Sequence, residues 1–321
     1  MQQVFLGGCI MKKLLTLILT IVSIFMLGAC TNKEKYDVVS TNYIGYDISK
    51  YLCADAKCTM LLKPGEELHD YSPTVNDIEK VINSKIFIYI GGESDKEFVE
   101  NDILKEINPN KTEVINLMEV VKTKYMEEDP ESYIGDDSEE EEEEYDEHIW
   151  TSIENVKAIA SKLLGALERA TGKTLFVPHE RLICNELPNL QKEIQQIVDE
   201  SSKKPLIFAD RFPLLYFVKE FNIEYDAAFK GCESSKEANP KTIEKLTQKV
   251  IDNDINVIFV IELSEAKIAN TIVENCKAKG KNVSVRTFYT MHNISKEDYE
   301  KGMTYLDFMK LNVESLRLAL N

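Results

Sequence analysis

The sequence predicts an α/β fold of two Rossmann-like lobes with mostly parallel sheets, and three observations carry that expectation. Short apolar runs such as Ile86-Phe87-Ile88-Tyr89-Ile90 and Val257 to Ile261 read as buried strands. Helical stretches alternate with such runs on both sides of a long helix at 186–201. Without its leader the chain keeps roughly 290 residues, enough for two lobes of ordinary size.

The leader comes first. Met11 is followed by Lys12 and Lys13, an apolar run from Leu14 to Leu27, and then Gly28, Ala29 and Cys30. A basic start, an apolar centre and small residues at the cut make a secretory signal. The run is short for a membrane-spanning helix, which needs roughly 20 residues. An uncleaved anchor is the alternative, and the cut-site residues argue against it. Leu27-Gly28-Ala29-Cys30 resembles a bacterial lipobox. The resemblance implies removal of 1–29 and diacylation of Cys30, which would hold the protein on the extracytoplasmic face of the cell membrane. Each buried CH₂ of such a chain contributes about 0.8 kcal/mol. Residues 1–10 read as an upstream choice of start codon.

Residues 30–35 are then the lipidated cysteine and a polar tether. The first lobe is expected over 36–185. It holds a β-branched strand near Tyr36 to Ser40, the strand at 86–90 stopped by Gly91-Gly92, and a strand at Val114-Ile115. An acidic stretch from Glu127 to Glu147 interrupts it, with an unbroken Glu139 to Glu144 inside. Such a run repels itself and buries no apolar area, so it predicts a solvated loop; its functional reading is a low-affinity collector of cations. Asn155 to Leu167 is an amphipathic helix with Val156, Ile159, Ala160, Leu163, Leu164 and Leu167 on one face.

A linking helix is expected at 186–203 and a second lobe at 204–321. That lobe reads as strand Leu206 to Phe208, helix Leu214 to Phe221, strand Ala227 to Phe229, helix Pro240 to Asp252, strand Val257 to Ile261, helix Ala266 to Ala278 and strand Val283 to Val285. One closing helix is predicted from Tyr299 to Leu320, with Ser295 and Asp298 in capping-box positions. No internal repeat is visible. In sheets of this kind ligands sit beyond the carboxyl ends of the strands. That points to the loops near 69–74, 146–150, 209–213, 262–265 and 286–293.

The formal net charge is −17, and loss of Lys12 and Lys13 makes it more negative. An acidic surface disfavours nucleic acid and anionic lipid and favours cations. Beyond Cys30 the cysteines are Cys53, Cys58, Cys184, Cys232 and Cys276. Export permits disulfides, and Cys53 and Cys58 are close enough in sequence to pair, but spacing does not fix connectivity. No Cys-x-x-Cys pair supports a thiolate zinc site. Each cysteine therefore reads as a small buried hydrophobe or half of one disulfide.

Of the four histidines, His69, His148 and His292 fall in the loops just named, while His179 follows Pro178 in a polar connection and reads as a surface residue. Imidazole is a common transition-metal ligand, so the three loop histidines are metal candidates; separate surface or capping roles are the alternative.

The segments around two of these residues carry a resemblance. Pro64-Gly65 followed by His69-Asp70-Tyr71-Ser72-Pro73-Thr74, and His148-Ile149-Trp150, are similar to segments of the zinc/manganese solute-binding lipoproteins of bacterial ABC importers. Further stretches resemble one branch of that family: Gly91 to Asp95, Phe208 to Pro213, Gly231 to Ser235 and His292 to Tyr299. The similarity runs from about residue 36 to the C-terminus. It implies two lobes with four-stranded sheets, one long rigid linking helix and a metal between the lobes. It also implies capture of a divalent ion, zinc preferred and manganese the alternative, for an ABC permease and its ATPase. No catalytic residue, nucleic-acid partner or bound cofactor other than the cargo is expected, and the protein is expected to be a monomer.

The match departs in the second lobe. The family's third ligand falls on Ala209 and its fourth on Tyr289, neither a good ligand for zinc at neutral pH. The expected site is therefore His69, His148 and His292, completed by Asp210, Glu262 or water. Arg211 next to Asp210 opposes a cation. Two other readings compete. One is an adhesion or binding lipoprotein on the same fold with a degenerate metal site. The other, a zinc hydrolase, lacks a His-Glu-x-x-His motif.

Overall fold

The structure is a computed structural model that describes residues 35–69, 71–134, 144–202, 204–232 and 238–320. Cys30, the expected signal at 1–29 and most of the glutamate run lie outside the described residues. Two four-stranded sheets form, every strand parallel to its neighbours. The first contains β1 (Val38–Ser40), β2 (Cys58–Met60), β3 (Ile86–Tyr89) and β4 (Glu113–Asn116) in the order β2-β1-β3-β4. The second contains β5 (Leu206–Phe208), β6 (Tyr225–Ala227), β7 (Val257–Val260) and β8 (Ser284–Thr287) in the order β6-β5-β7-β8. In both sheets the order reverses between the first and third strands, which opens a crevice at their carboxyl ends.

The helices follow from local signals. α1 (Tyr43–Leu52) starts where the Asn42 side chain accepts from the Gly45 N–H at 3.2 Å. α2 (Val75–Ile82) starts on a capping box in which Thr74 and Asp77 satisfy each other's backbone N–H. A short helical turn, α3 (Lys96–Phe98), runs on into a π segment, Val99–Ile103. α4 (Ile153–Thr171) buries Val156, Ile159, Ala160, Leu163 and Leu167, the face predicted from their spacing.

The linking helix is longer than expected. α5 (Phe176–Glu180), a π segment (Arg181–Glu186) and α6 (Leu187–Glu200) follow one another without a gap. His179 lies in α5 and is largely buried, with Ser161 Oγ 3.3 Å from its Nε2, rather than being a surface residue. α7 (Leu215–Phe221), α8 (Pro240–Asp252) and α9 (Lys267–Ala278) agree with the sequence reading to within a residue at each end. The closing helix is two helices, α10 (Lys296–Glu300) and α11 (Tyr305–Leu320), separated by a turn at Lys301-Gly302. Ser295 caps α10, while Thr304 and Asp307 form a second box that starts α11. β2 carries no apolar run and was not expected, and β6 begins two residues before the predicted stretch.

One hydrophobic core runs through both halves. It joins Ile86 and Ile88 of the first sheet, Trp150, Leu190 of α6, Phe208 and Phe259 of the second sheet, and Leu316 of α11. Smaller clusters fill the outer faces, around Phe87 in the first sheet and Ile258 in the second. Cys53 and Cys58 are free thiols, as are Cys184, Cys232 and Cys276.

The chain leading into the acidic stretch lies against the second sheet. Met126 and Tyr145 form an antiparallel bridge at the neck of this stretch. Beyond it, Glu128 pairs with Lys219 at 2.7 Å, Asp129 with Lys230 at 4.0 Å and Glu131 with Lys249 at 2.5 Å. Asp226 of β6 anchors the strap. It is fully buried and accepts from the Ser132 N–H at 2.9 Å, the Ser132 hydroxyl at 2.6 Å and Lys249 Nζ at 2.7 Å. The outer pairs are exposed and contribute about 1 kcal/mol or less each. Truncating Asp226 leaves the buried Ser132 N–H without its acceptor and Lys249 with Glu131 alone. Asp226→Ala should therefore lower unfolding stability by about 3 kcal/mol in urea denaturation, against under about 0.5 kcal/mol for Glu128→Gln. Equal effects of the two substitutions would contradict this account of the strap.

Candidate metal site

The loops at the carboxyl ends of both sheets meet in the crevice. His69 comes from the loop after β2, His148 from the segment after β4, Cys232 from the turn after β6 and His292 from the loop after β8. The rings of His69 and His292 lie 5.5 Å apart between centroids, and those of His148 and His292 lie 5.0 Å apart. His148 Nε2 is 3.0 Å from His292 Nδ1 and 2.8 Å from Cys232 Sγ, and Cys232 Sγ is 3.1 Å from His292 Nδ1. Ligand atoms of His69, Glu147, Cys232 and His292 all fall within 4.8 Å of one another.

His148 and His292 are held from behind. Asp146 Oδ1 accepts from the His148 backbone N–H at 2.7 Å and lies 3.1 Å from Nδ1 of its ring, which leaves Nε2 facing the site. The Asp146 carbonyl accepts from the Tyr216 hydroxyl at 3.0 Å. Trp150, the one tryptophan of the chain, stands edge-on to His148 and His292 at 5.3 and 6.0 Å and donates Nε1–H to the Thr290 carbonyl at 2.8 Å. The His292 loop is clamped further. Glu262 accepts from the Thr290 N–H at 2.7 Å and from its hydroxyl at 2.6 Å, and Asn312 brackets the Tyr289 backbone with two bonds of 2.7 Å. Met291, just before His292, has a φ of 58°, a left-handed turn that this clamp supports.

Glu147 was not among the expected ligands. It is 3 % exposed, and its Oε2 accepts from the Ser94 N–H at 2.9 Å and the Ser94 hydroxyl at 2.8 Å. Its Oε1 has no hydrogen-bond partner and lies 3.9 Å from His69 Nε2. His292 Nε2 is likewise buried without a partner. An unpartnered buried carboxylate oxygen is uncommon, and a cation is a species that satisfies it. The Gly91-Gly92-Glu93-Ser94-Asp95 stretch serves this carboxylate: a Cβ on Gly92 would lie 2.3 Å from the Glu147 Cβ. Asp95 fixes the turn, accepting from the Thr41 hydroxyl at 2.6 Å and the Ile90 and Gly91 N–H groups at 2.7 and 2.8 Å.

Electrostatics favour the unprotonated ring at His69 and His292 and the protonated form at the other three groups. Burial, reinforced by His148, holds His69 below the usual histidine value, and burial with both neighbouring histidines holds His292 well below it. Burial raises Glu147 to about 7 and the Cys232 thiol to about 11, in each case against the pull of His148. For His148 itself burial acts downward, but Cys232 and Asp146 on its two ring nitrogens outweigh it, so this ring keeps a proton more strongly. A metal entering here displaces protons.

The structure does not bring Asp210 into the group. Its carboxylate accepts from the Arg211 N–H at 2.9 Å and the Ile261 N–H at 3.4 Å, which closes the turn after β5. Glu262 spends both oxygens on Thr290. Ala209 is buried in the second-sheet cluster, and Tyr289 packs against Phe308 at 5.0 Å. Arg211 points to Glu67 at 3.5 Å and with Cys232, Glu262 and His292 lines a cavity of about 20 Å³, room for one water-sized species. Glu147 had a sequence signal, since it precedes His148, but the acidic stretch around it hid it. Cys232 had only a turn-forming Gly231 beside it. Glu262→Ala should free the Thr290 loop and lower unfolding stability by about 1–3 kcal/mol, read from the urea midpoint; an unchanged midpoint would contradict the clamp.

Comparison with known proteins agrees with this fold. The model of a family described as ZnuA, zinc-uptake complex component A, periplasmic, matches residues 38–319. The high-affinity zinc uptake system protein ZnuA of Bacillus subtilis is 23% identical over 302 residues, covering 91% of this chain and 90% of its own length. The zinc-binding protein AdcA of Streptococcus pyogenes is 23% identical over 327 residues, covering 96% of this chain. This chain spans 62% of that relative's length. Among solved structures, the metal-dependent lipoprotein YcdH of Bacillus subtilis superposes with a TM-score of 0.70 at 21% identity, over 89% of this chain and 100% of its own. The Zn(II)-bound ZnuA-like domain of Streptococcus pneumoniae AdcA gives 0.68 at 19% identity, over 89% and 99%. At such identities these two structures show the shared two-lobe fold. With the family match spanning nearly the whole described chain, the protein belongs to the ZnuA family of periplasmic zinc-uptake components.

Proposed function

We propose that this chain is the extracytoplasmic receptor of a metal ABC importer. It captures a divalent transition metal, zinc in preference to manganese, and delivers it to a membrane permease driven by a cytoplasmic ATPase. Cys30 carries the lipid anchor, 36–185 and 204–321 act as the two lobes, and 186–203 links them. His69, His148 and His292 bind the ion, with Glu147 in the place expected of Asp210.

One observation carries this reading. Three imidazoles from loops of both halves converge beside a buried carboxylate oxygen that has no hydrogen-bond partner. Imidazole and carboxylate together suit zinc, whereas manganese favours more oxygen. The adjoining cavity of about 20 Å³ favours a bare ion over an organic chelate. Family membership supports the transport role, and a Zn(II)-bound neighbour and an Mn-bound neighbour of the same fold are consistent with the two metals. A laminin-binding protein of Streptococcus agalactiae, described as having both adhesin and metal-transporting activity, shares the fold at a TM-score of 0.69. Adhesion without metal is the competing role for this chain.

Trp150 makes the test direct, because the only tryptophan touches two of the proposed ligands. Zinc titration should change its emission and saturate at about one equivalent. Combined His69→Ala and His148→Ala should abolish the response. Glu147→Gln should weaken zinc binding by roughly tenfold or more, while Asp210→Asn changes it little. A response that survives the double substitution would sink the site.

Thermal unfolding separates transport from adhesion. A ligand that binds only the native state adds about 2.7 kcal/mol at a hundredfold excess over its dissociation constant. Micromolar zinc should therefore raise the melting temperature by several degrees. An unchanged melting temperature would favour the adhesion reading.

A further inference from the structure

We propose that Cys232 is itself a metal ligand, a thiolate that directs the site toward thiophilic divalent ions such as zinc, cobalt and cadmium and away from manganese. The inference rests on the receptor reading and narrows it to a class of cargo.

The geometry carries it. Cys232 Sγ lies 2.8 Å from His148 Nε2 and 3.1 Å from His292 Nδ1, and it belongs to the group of ligand atoms that closes within 4.8 Å. Zinc bonds of about 2.0–2.3 Å set ligand atoms about 3.3–3.8 Å apart in a tetrahedral shell, and with the three histidines and Glu147 the Cys232 thiolate makes a fifth ligand, a number to which zinc can expand. The short contacts must widen and the long ones close, by only about an ångström each. The unpartnered Oε1 of Glu147 belongs to a residue of the same group, an independent sign that a cation belongs there.

The backbone presents the thiol deliberately. Gly231 has a φ of 40°, a left-handed conformation that favours glycine, and a Cβ there would push the Glu127 carboxylate aside. The Gly231 carbonyl accepts from the Phe212 N–H at 3.0 Å, which ties the Cys232 turn to the loop after β5. Cys53 and Cys276 are buried in hydrophobic cores and Cys184 is exposed, so they are in different surroundings. When the metal binds, the S–H bond breaks, a sulfur–metal bond forms and the proton leaves to solvent. Thiolate selects borderline and soft ions, and manganese gains least from it.

Cobalt(II) titration of the purified chain under reducing conditions tests the proposal. One equivalent should produce a sulfur-to-cobalt charge-transfer band in the near ultraviolet. The band should vanish in Cys232→Ser and persist in Cys184→Ser. Zinc affinity, measured by chelator competition, should fall at least about tenfold in Cys232→Ser, with a smaller change for manganese. If that variant does not fold, X-ray absorption at the zinc edge of the unaltered chain decides. One sulfur at about 2.3 Å supports the proposal, and a shell of nitrogen and oxygen alone overturns it. Metal bound at one equivalent with no sulfur signal removes Cys232 and leaves the receptor reading intact. No binding of zinc or cobalt removes both.

Discussion

The hydrogen bond from Trp150 Nε1 to the Thr290 carbonyl, 2.8 Å long and buried, joins the segment that carries His148 to the loop that carries His292. Everything at the site depends on that junction. His148 is two residues before the tryptophan, and His292 is two residues after the threonine. Thr290 is in turn gripped by Glu262, whose carboxylate leaves it no freedom to turn. Buried polar groups must be satisfied, and here they are satisfied by one another across the crevice. The histidines inherit their positions from that network.

The network is possible because the hydrophobic core does not stop at the boundary between the sheets. Phe208, Phe217 and Phe288 pack edge to face, and the same core continues through Trp150 to Ile86 and Ile88. α11 packs on α6, so the chain's last helix braces the linking helix. The strap from Glu128 to Ser132 adds a polar hold on the second sheet. A crevice with such walls can keep the His69 and His292 imidazoles close and largely free of protons, which a surface loop cannot do. Burial, which keeps His69 and His292 neutral, is supplied by the packing.

The same packing explains which carboxylate faces the histidines. Asp210 and Glu147 are both acids beside a candidate loop. Asp210 finds backbone N–H groups in its own turn and folds back on them. Glu147 gives one oxygen to Ser94 and holds the other toward His69, because Gly92 leaves it the space. Local hydrogen bonding therefore withdraws one acid and extends the other. Tyr289, at the position where the family resemblance implies a ligand, is drawn away by Asn312 and Phe308.

The sequence by itself determined the α/β alternation, the strands at Ile86, Leu206 and Val257, the helices at Pro240 and Asn155, and the convergence candidates His69, His148 and His292. Those features are local: apolar runs, helical spacing and histidines at the ends of strands. Tertiary structure decided what no spacing encodes. It added β2, which pairs parallel to β1 at the edge of the sheet. It split the last helix at Lys301-Gly302 and buried His179. It brought Glu147 and Cys232 to the histidines and turned Asp210 and Glu262 to structural work. The reason is physical. A side chain's partners are chosen by the full set of donors and cavities around it, and residues 84 positions apart, such as His148 and Cys232, acquire that set only when the chain has folded.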